Sequence, residues 1–411
     1  MSDYDVIVVG AGPAGTIAAY ECAKRGLDTV LLEKFALPRE KPCGGAVMYR
    51  GVRVVNGEIP AHLIERKIYG LSFTLPKLGA FEFVTDKLIG ITVFREYFDE
   101  YLARRASESG VTLIEEARVV DAHTSSDSVS VTLEDRSEYS GSFLIGADGV
   151  NSIVSRSLGL RPKRKDLNRH GIGMEADFHV GEAGVEKATD GNPHILSILP
   201  VKGKLGYGWV FPKREHLAIG VAGPAADMLP LRPSFERFCE LIGCDREVEL
   251  VPEKIRTYFL GADGLQNKNV LDRVILVGDA AGFVDPMMGE GIAYAMQSGV
   301  FAAEVISNAM ETGQYNERYL FRYQKLCDAE FGSSFGMAEW AGSQGSVLAE
   351  RLLPKINGHP LAAQIMAQVA RGEIGYCDIP ATVLRILPQE LPSILRSLIR
   401  SRISGASQKD S

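Results

Sequence analysis

Apolar and polar positions alternate in two distinct ways along the chain, and the change of period marks out its elements. The first segment, "DVIVV" (5–9), is an unbroken β-branched run. So short a run with no polar face predicts a strand buried on both sides, as in a parallel sheet. A glycine-rich turn follows, then helical spacing over 13–25, and "DTVLLEK" (28–34) predicts a second strand. Together these make a βαβ unit. "FREYFDEYLARRASESG" (94–110) predicts a helix stopped by Gly110. "VTLIEEARVVDA", "SVSVTLED" and "SFLIGADG" read as strands. Between 170 and 260 the period becomes strictly alternating, as in "LGYGWVFP" and "HLAIGVAG", which predicts a mainly antiparallel sheet. "RVILVGDAAG" (273–282) returns to the buried-strand pattern, and a long helix is expected from about Met288 to Met310. From 316 onwards the pattern is almost wholly helical.

The turn after the first strand carries chemistry. "VVGAGPAG" places Gly10, Gly12 and Gly15 between a strand and a helix. Gly10 permits the tight turn, Gly12 lets a pyrophosphate approach the backbone, and Gly15 allows close packing of the helix. The helix start offers N–H groups and a positive dipole to phosphates. Glu33 ends the second strand, where a carboxylate can take both hydroxyls of a ribose. Strand, helix and acid in register predict dinucleotide binding.

A second segment, "ILVGDAAGFVDPMMGEGI" (275–292), selects a flavin over a nicotinamide. Asp279 can accept hydrogen bonds from a polyol chain, or it can simply cap a helix. The N–H groups of Gly291 and Ile292 favour negative charge at a helix start, which suits the pyrimidine ring of a reduced flavin. The expected architecture is α/β. A Rossmann-like domain is built from 1–65, 95–165 and 270–340, and a mainly antiparallel substrate domain from 66–94 and 166–269 is inserted in it. A helical region, 341–411, completes the chain.

Composition narrows the partners. The 411 residues suffice for two domains, and a net charge of −7 gives no electrostatic case for nucleic acid. Cysteines 22, 43, 239, 244, 327 and 377 show neither paired nor zinc-ligand spacing. Reduced thiols in a cytoplasm are expected, and no metal. "MSDYDVIVVG" lacks the basic flank and apolar core of a signal peptide. Apolar runs fall short of the ~20 residues of a membrane span. "LPSILRSLIRSRI" (391–403) is a basic amphipathic stretch that suits either a peripheral membrane contact or a docked terminal helix.

The fingerprint, "GADGVNSIVSRSLG" (146–159) and "GDAAGFVDPMMGEGI" together resemble the FAD enzymes of the para-hydroxybenzoate hydroxylase superfamily, whose FAD domain is of the glutathione reductase type. Within it, "KPCGG" and "YGWVFP" look like the geranylgeranyl reductase family, including the archaeal digeranylgeranylglycerophospholipid reductases. The resemblance covers roughly residues 3–340. In that family a Tyr-x-Trp-x-Phe-Pro segment precedes Gly-x-Gly. Tyr207, Trp209, Phe211, Pro212 and Gly220 match, whereas Ala222 stands at the second glycine.

The resemblance implies roles residue by residue. Ala14 and Glu33 contact the adenosine half of FAD; Cys43, Gly44 and Ala46 pass along the flavin. Arg95 reaches the phosphate and ribityl region, unless it is simply solvated. Val119 meets the adenine through its backbone, and Asp279, Gly291 and Ile292 hold the ribityl chain and isoalloxazine. Tyr207, Trp209 and Phe211 share one face of a strand, as sheet core, as the wall of a greasy substrate channel, or as both. Arg371 would meet a lipid phosphate or lie on the surface.

The implied activity is FAD-dependent saturation of isolated prenyl C=C bonds of geranylgeranyl chains, foremost on digeranylgeranylglycerophospholipids in archaeal-type membrane lipid biosynthesis. An external donor, NAD(P)H or a ferredoxin, supplies electrons. Cys43 is the candidate proton donor; its alternatives are a packing residue or part of the cofactor wall. A flavin monooxygenase or halogenase of the same fold, and an electron-transferring flavoprotein of the quinone-reductase kind, remain open.

Overall fold

A computed structural model describes residues 3–75, 79–161, 170–202, 204, 206–242, 255–285, 289–340 and 360–385. The βαβ unit forms as the pattern predicts, with strand Tyr4–Val9, helix Pro13–Lys24 and strand Thr29–Leu32. Tyr4–Val9 lies inside a sheet whose order is Val270–Leu271, Val274–Leu276, Glu138–Gly146, Tyr4–Val9, Thr29–Leu32 and Thr112–Ile114. All but the first pairing are parallel. Val6, Ile7 and Val8 are completely buried, which is why the run needs no polar face. Val119–Thr124 and Val129–Leu133 extend this sheet as an antiparallel hairpin against Glu138–Gly146.

Register decides where the chemistry gathers. Val9 pairs with Gly146, and Gly146 with Leu276. Three parallel strands therefore end side by side, and the turns beginning at Gly10, Ala147 and Val277 open at one edge. Ligands of open α/β sheets bind at that carboxyl edge.

The alternating region forms a second sheet: Arg256–Gly261, His170–His179, His216–Pro224, Tyr207–Pro212, Ile195–Pro200, Gly70–Leu75 and Gly79–Val84. It is antiparallel except where Ile195–Pro200 meets Gly70–Leu75. One face is closed by helix Leu231–Leu241, through Phe235 and Phe238. Ala46–Met48, Gly90–Thr92 and Arg66–Ile68, in that order, make a small third sheet.

The long helix runs from Ile292 to Thr312, starting later than the periodicity suggests. Before it, the Asp285 N–H donates to the Glu290 carbonyl at 2.8 Å, and the Gly289 N–H donates to the Asp285 carbonyl at 2.9 Å. Helices Glu317–Trp340 and Pro360–Ala370 follow. The amphipathic stretch 391–403, Cys244 and Pro286 lie outside the described residues. Among the described residues no helix is long and apolar enough to cross a membrane, no cluster could hold a metal, and the cysteines are free thiols.

The fingerprint turn is sterically exacting. Gly10 has φ of +103°, and a Cβ on Gly15 would lie 1.9 Å from the Gly10 carbonyl oxygen. Only backbone could yield there. Gly15→Ala is expected to cost about 1–3 kcal/mol, measured as a lowered unfolding midpoint against wild type. An unchanged midpoint would show that the turn tolerates the methyl.

Candidate functional site

The dinucleotide end is built first. Glu33 is buried at the end of its strand, where its Oε2 accepts the Ala11 N–H at 2.9 Å and its Oε1 accepts the Phe35 N–H at 3.2 Å. One carboxylate thus ties the glycine turn to the next loop and faces the site. Arg39 stands 3.3 Å from Glu33 and 3.2 Å from Asp99, and Arg95 donates two hydrogen bonds to Asp99 at 2.8 and 2.9 Å. This places four largely buried charges in an alternating chain, Glu33–Arg39–Asp99–Arg95. Arg95 is therefore not the solvated start of a charged helix. Burial alone would ease its proton off, but Asp99 and Cys43 beside it hold the guanidinium charged more firmly than usual. Arg39 has no signal in the sequence, where it reads as an ordinary loop charge.

A single cavity of about 520 Å³ joins the widely separated motifs. Gly10, Gly12, Ala14, Glu33, Cys43, Gly44, Ala46, Arg95, Val119, Asp279, Gly291 and Ile292 line it, and so do Tyr207, Trp209 and Phe211. Gly15 does not, since it packs beneath the turn. Arg371, expected near a lipid phosphate, also lies outside it. Its guanidinium stacks 3.6 Å over the Tyr49 ring, pairs with Glu373 at 2.6 Å and donates to the Leu88 carbonyl. Those partners make it a packing residue that docks the end of helix Pro360–Ala370.

Two helix starts open onto this cavity, at Pro13 and Ile292. Their N-cap residues are Gly12 and Gly291, which bring no side-chain cap, so N–H donors are left for a ligand. A Cβ on Gly12 would meet nothing nearer than Arg39, at 3.8 Å. The backbone there is open to a pyrophosphate, and the residues fit FAD.

At the other end the aromatic side chains form a wall. Ring centroids lie 6.1 Å apart for Tyr207 and Trp209, and 6.2 Å for Trp209 and Phe211. Gly220 is opposite Trp209 in register, and a Cβ there would fall 2.1 Å from the indole. That glycine lets the ring lie on the sheet. Ala222 faces Tyr207 in an unbroken strand, His216–Pro224, so its methyl lines the cavity without creating a turn. The "KPCGG" loop approaches this wall closely: a Cβ on Gly44 would meet Phe211 and Trp209 Nε1 at 2.8 Å. Cys43 Sγ accepts the Gly45 N–H at 3.4 Å, and the Cys43 N–H donates to Glu175.

Two carboxyl groups escaped the sequence reading. Glu290 lines the cavity, and its Oε1 is buried without a hydrogen bond among the described residues. Burial pushes its pKa up to about 8, helped by Asp285 and opposed by Arg50. Glu175 is buried at the same strand period as Gly173 and Asp177. Alternation alone would have put such an acid towards solvent.

Comparison with known proteins agrees with a flavin cofactor. Residues 91–330 match the family model of an FAD-binding domain, and residues 5–154 that of FAD-dependent oxidoreductases. Digeranylgeranylglycerophospholipid reductase 1 of Methanopyrus kandleri is 31% identical over 82% of this chain and 89% of its own. The chain belongs to the geranylgeranyl reductase family of FAD-dependent oxidoreductases. Its cofactor is FAD. Within solved structures, the fold of this reductase-family chain is shared with a geranylgeranyl bacteriochlorophyll reductase-like protein from Thermoplasma acidophilum. The TM-score is 0.73 at 21% identity, over 97% of this chain and 98% of that one. The halogenase PltM in complex with FAD has the same fold at a TM-score of 0.65 and 17% identity, over 95% and 96% of the two chains.

Asp279 lines the cavity beside Gly291. Asp279→Ala is expected to weaken FAD by about 1–3 kcal/mol, because hydroxyl donors lose their acceptor. Titration of FAD into apoprotein measures this, and unchanged affinity would leave Asp279 as a helix residue only.

Proposed function

We propose that this enzyme saturates isolated prenyl double bonds of geranylgeranyl chains, foremost those of digeranylgeranylglycerophospholipids in archaeal-type membrane lipid biosynthesis. The observation that supports this reading best is the continuity of the cavity. From the dinucleotide cradle it runs past Cys43 into an arm walled by Tyr207, Trp209, Phe211, Leu71, Leu196, Ile198, Met366, Val369 and Ala370. A long hydrocarbon chain gains from such a wall, at ~0.8 kcal/mol per buried methylene. The names of the archaeal relatives point to the same substrate class. The likeness to halogenases is one of fold, which many chemistries share.

Each residue then has a task. Glu33 takes the adenosine ribose, Arg95 the phosphate and ribityl region, and Val119 the adenine. Asp279, Gly291 and Ile292 hold the flavin half, with Cys43, Gly44 and Ala46 along it. The residues of 1–65, 95–165 and 270–340 form the FAD-binding unit, and the large antiparallel sheet covers the substrate. Bound and reduced by an external NAD(P)H or ferredoxin, FAD supplies a hydride. The aromatic wall orients the chain and excludes water, so that the alkene meets both reactants in fixed geometry. Cys43 Sγ holds the proton that the second alkene carbon receives.

Anaerobic single turnover tests this. Enzyme carrying reduced FAD should be reoxidised by a geranylgeranyl lipid without oxygen; reoxidation by oxygen alone would sink the reading. Cys43→Ser is expected to retain FAD and slow that turnover by about 10²-fold. A rate within about threefold of wild type would make Cys43 part of the cofactor wall.

A further inference from the structure

We infer that Glu175 is the proton reservoir of this site, reloading Cys43 with protons taken up through a small polar antechamber beside the main cavity. This rests on Cys43 as the donor. Cys43 lines two neighbouring cavities, together with Glu40, Lys41 and Arg95. One includes the large apolar arm; the other, of about 70 Å³, is lined by Glu40, Glu96, Asp177, Lys213 and Arg256. A water needs only about 10–15 Å³. Glu40 is exposed, so the antechamber reaches solvent there.

Glu175 lines neither cavity itself, but its strand neighbour Asp177 and its register partner Arg256 both line the smaller one. It is 3% exposed. One carboxylate oxygen accepts the Cys43 N–H, and the other is buried with no hydrogen-bond partner among the described residues. Asp177 is two residues along its strand, Arg256 is its register partner on the next strand, and Tyr258 comes from that same strand. Lys213 approaches from the turn after Tyr207–Pro212 and pairs with Asp177. Burial, then Asp177, pushes the Glu175 pKa up to about 7, against Lys213, the Cys43 N–H and Arg256. Arg95 flanks Cys43 at the edge of the antechamber.

A side route is needed because substrate and cofactor fill the main cavity. With water excluded there, a spent donor has no solvent to recharge it. The balance closes as follows. The alkene gains a hydride from reduced FAD at one carbon and the Cys43 thiol proton at the other, leaving a thiolate. The Glu175 carboxyl proton moves to Cys43 Sγ, and a proton from solvent, through the antechamber, restores Glu175. The net change is one C=C bond saturated and one cofactor oxidised.

Two measurements test this, one of them independent of turnover. Iodoacetamide alkylation of Cys43 in the FAD-loaded enzyme, followed by peptide mass across pH, should show an inflection near the Glu175 ionisation. Ionised Glu175 opposes the thiolate. Glu175→Gln is neutral and nearly isosteric, and should remove that inflection. It should also lower multiple-turnover reduction of a prenyl lipid by about tenfold or more. Activity in wild type should fall as pH rises through about 7, since the reservoir works when protonated; the variant should lose that limb. An alkylation profile identical in wild type and variant overturns the inference. If Glu175→Gln fails to retain FAD, a wild-type turnover rate flat between about pH 6 and about pH 9 overturns it as well. Cys43→Ser turnover close to wild type, with alkylation still coupled to Glu175, would instead overturn the donor assignment on which the inference rests.

Discussion

The shared register of three parallel strands is the constraint on which the site depends. Val9, Gly146 and Leu276 lie abreast, although more than a hundred residues separate each from the next. Each strand ends in a turn that cannot continue the ladder, and all three turns discharge at one edge. Helices Pro13–Lys24 and Ile292–Thr312 then start there and cross closely enough that a Cβ on Gly299 would lie 2.5 Å from the Ala14 carbonyl oxygen. Slipping any one strand by a residue would exchange its two buried faces, mismatching the packing on each, and carry its motif out of line with the other two. Cofactor binding and core packing are consequences of one hydrogen-bonded ladder.

Against this edge the antiparallel sheet supplies a surface rather than a set of reagents. Gly220 and Gly44 both approach Trp209 closely, one from the neighbouring strand and one from the "KPCGG" loop. Both remove a side chain where a ring must sit. The indole Nε1–H is buried without a partner among the described residues, a cost that the apolar wall bears for a polar group aimed at the loop. The substrate arm is thus made by subtraction: small residues leave space that large flat ones border.

Charge is handled by pairing. Glu33, Arg39, Asp99 and Arg95 alternate in sign along the cradle. Buried ions are tolerable only when each has its counter-ion and hydrogen bonds. Removing Asp99 would leave two arginines facing one acid. Glu175 and Glu290 are the opposite case, acids with a buried oxygen left unpaired among the described residues, and burial pushes both upward in pKa. Such groups are where protons can be stored.

The sequence by itself determined the elements and the kind of ligand. The unbroken run at 5–9, the glycine spacing of 10–15 and the acid at 33 specify a strand, a turn and a dinucleotide cradle through local sterics alone. The alternation of Tyr207, Trp209 and Phe211 likewise specified a shared face. Tertiary structure decided what those faces meet. It alone placed Arg371 on Tyr49 instead of in the cavity, joined Arg39 to the cradle, buried Arg95, and brought Glu175 to Cys43 across 132 positions. The reason is physical. Periodicity records which side of an element a residue occupies, whereas burial, pairing and pKa depend on the partner that packs there, and that partner comes from a distant part of the chain.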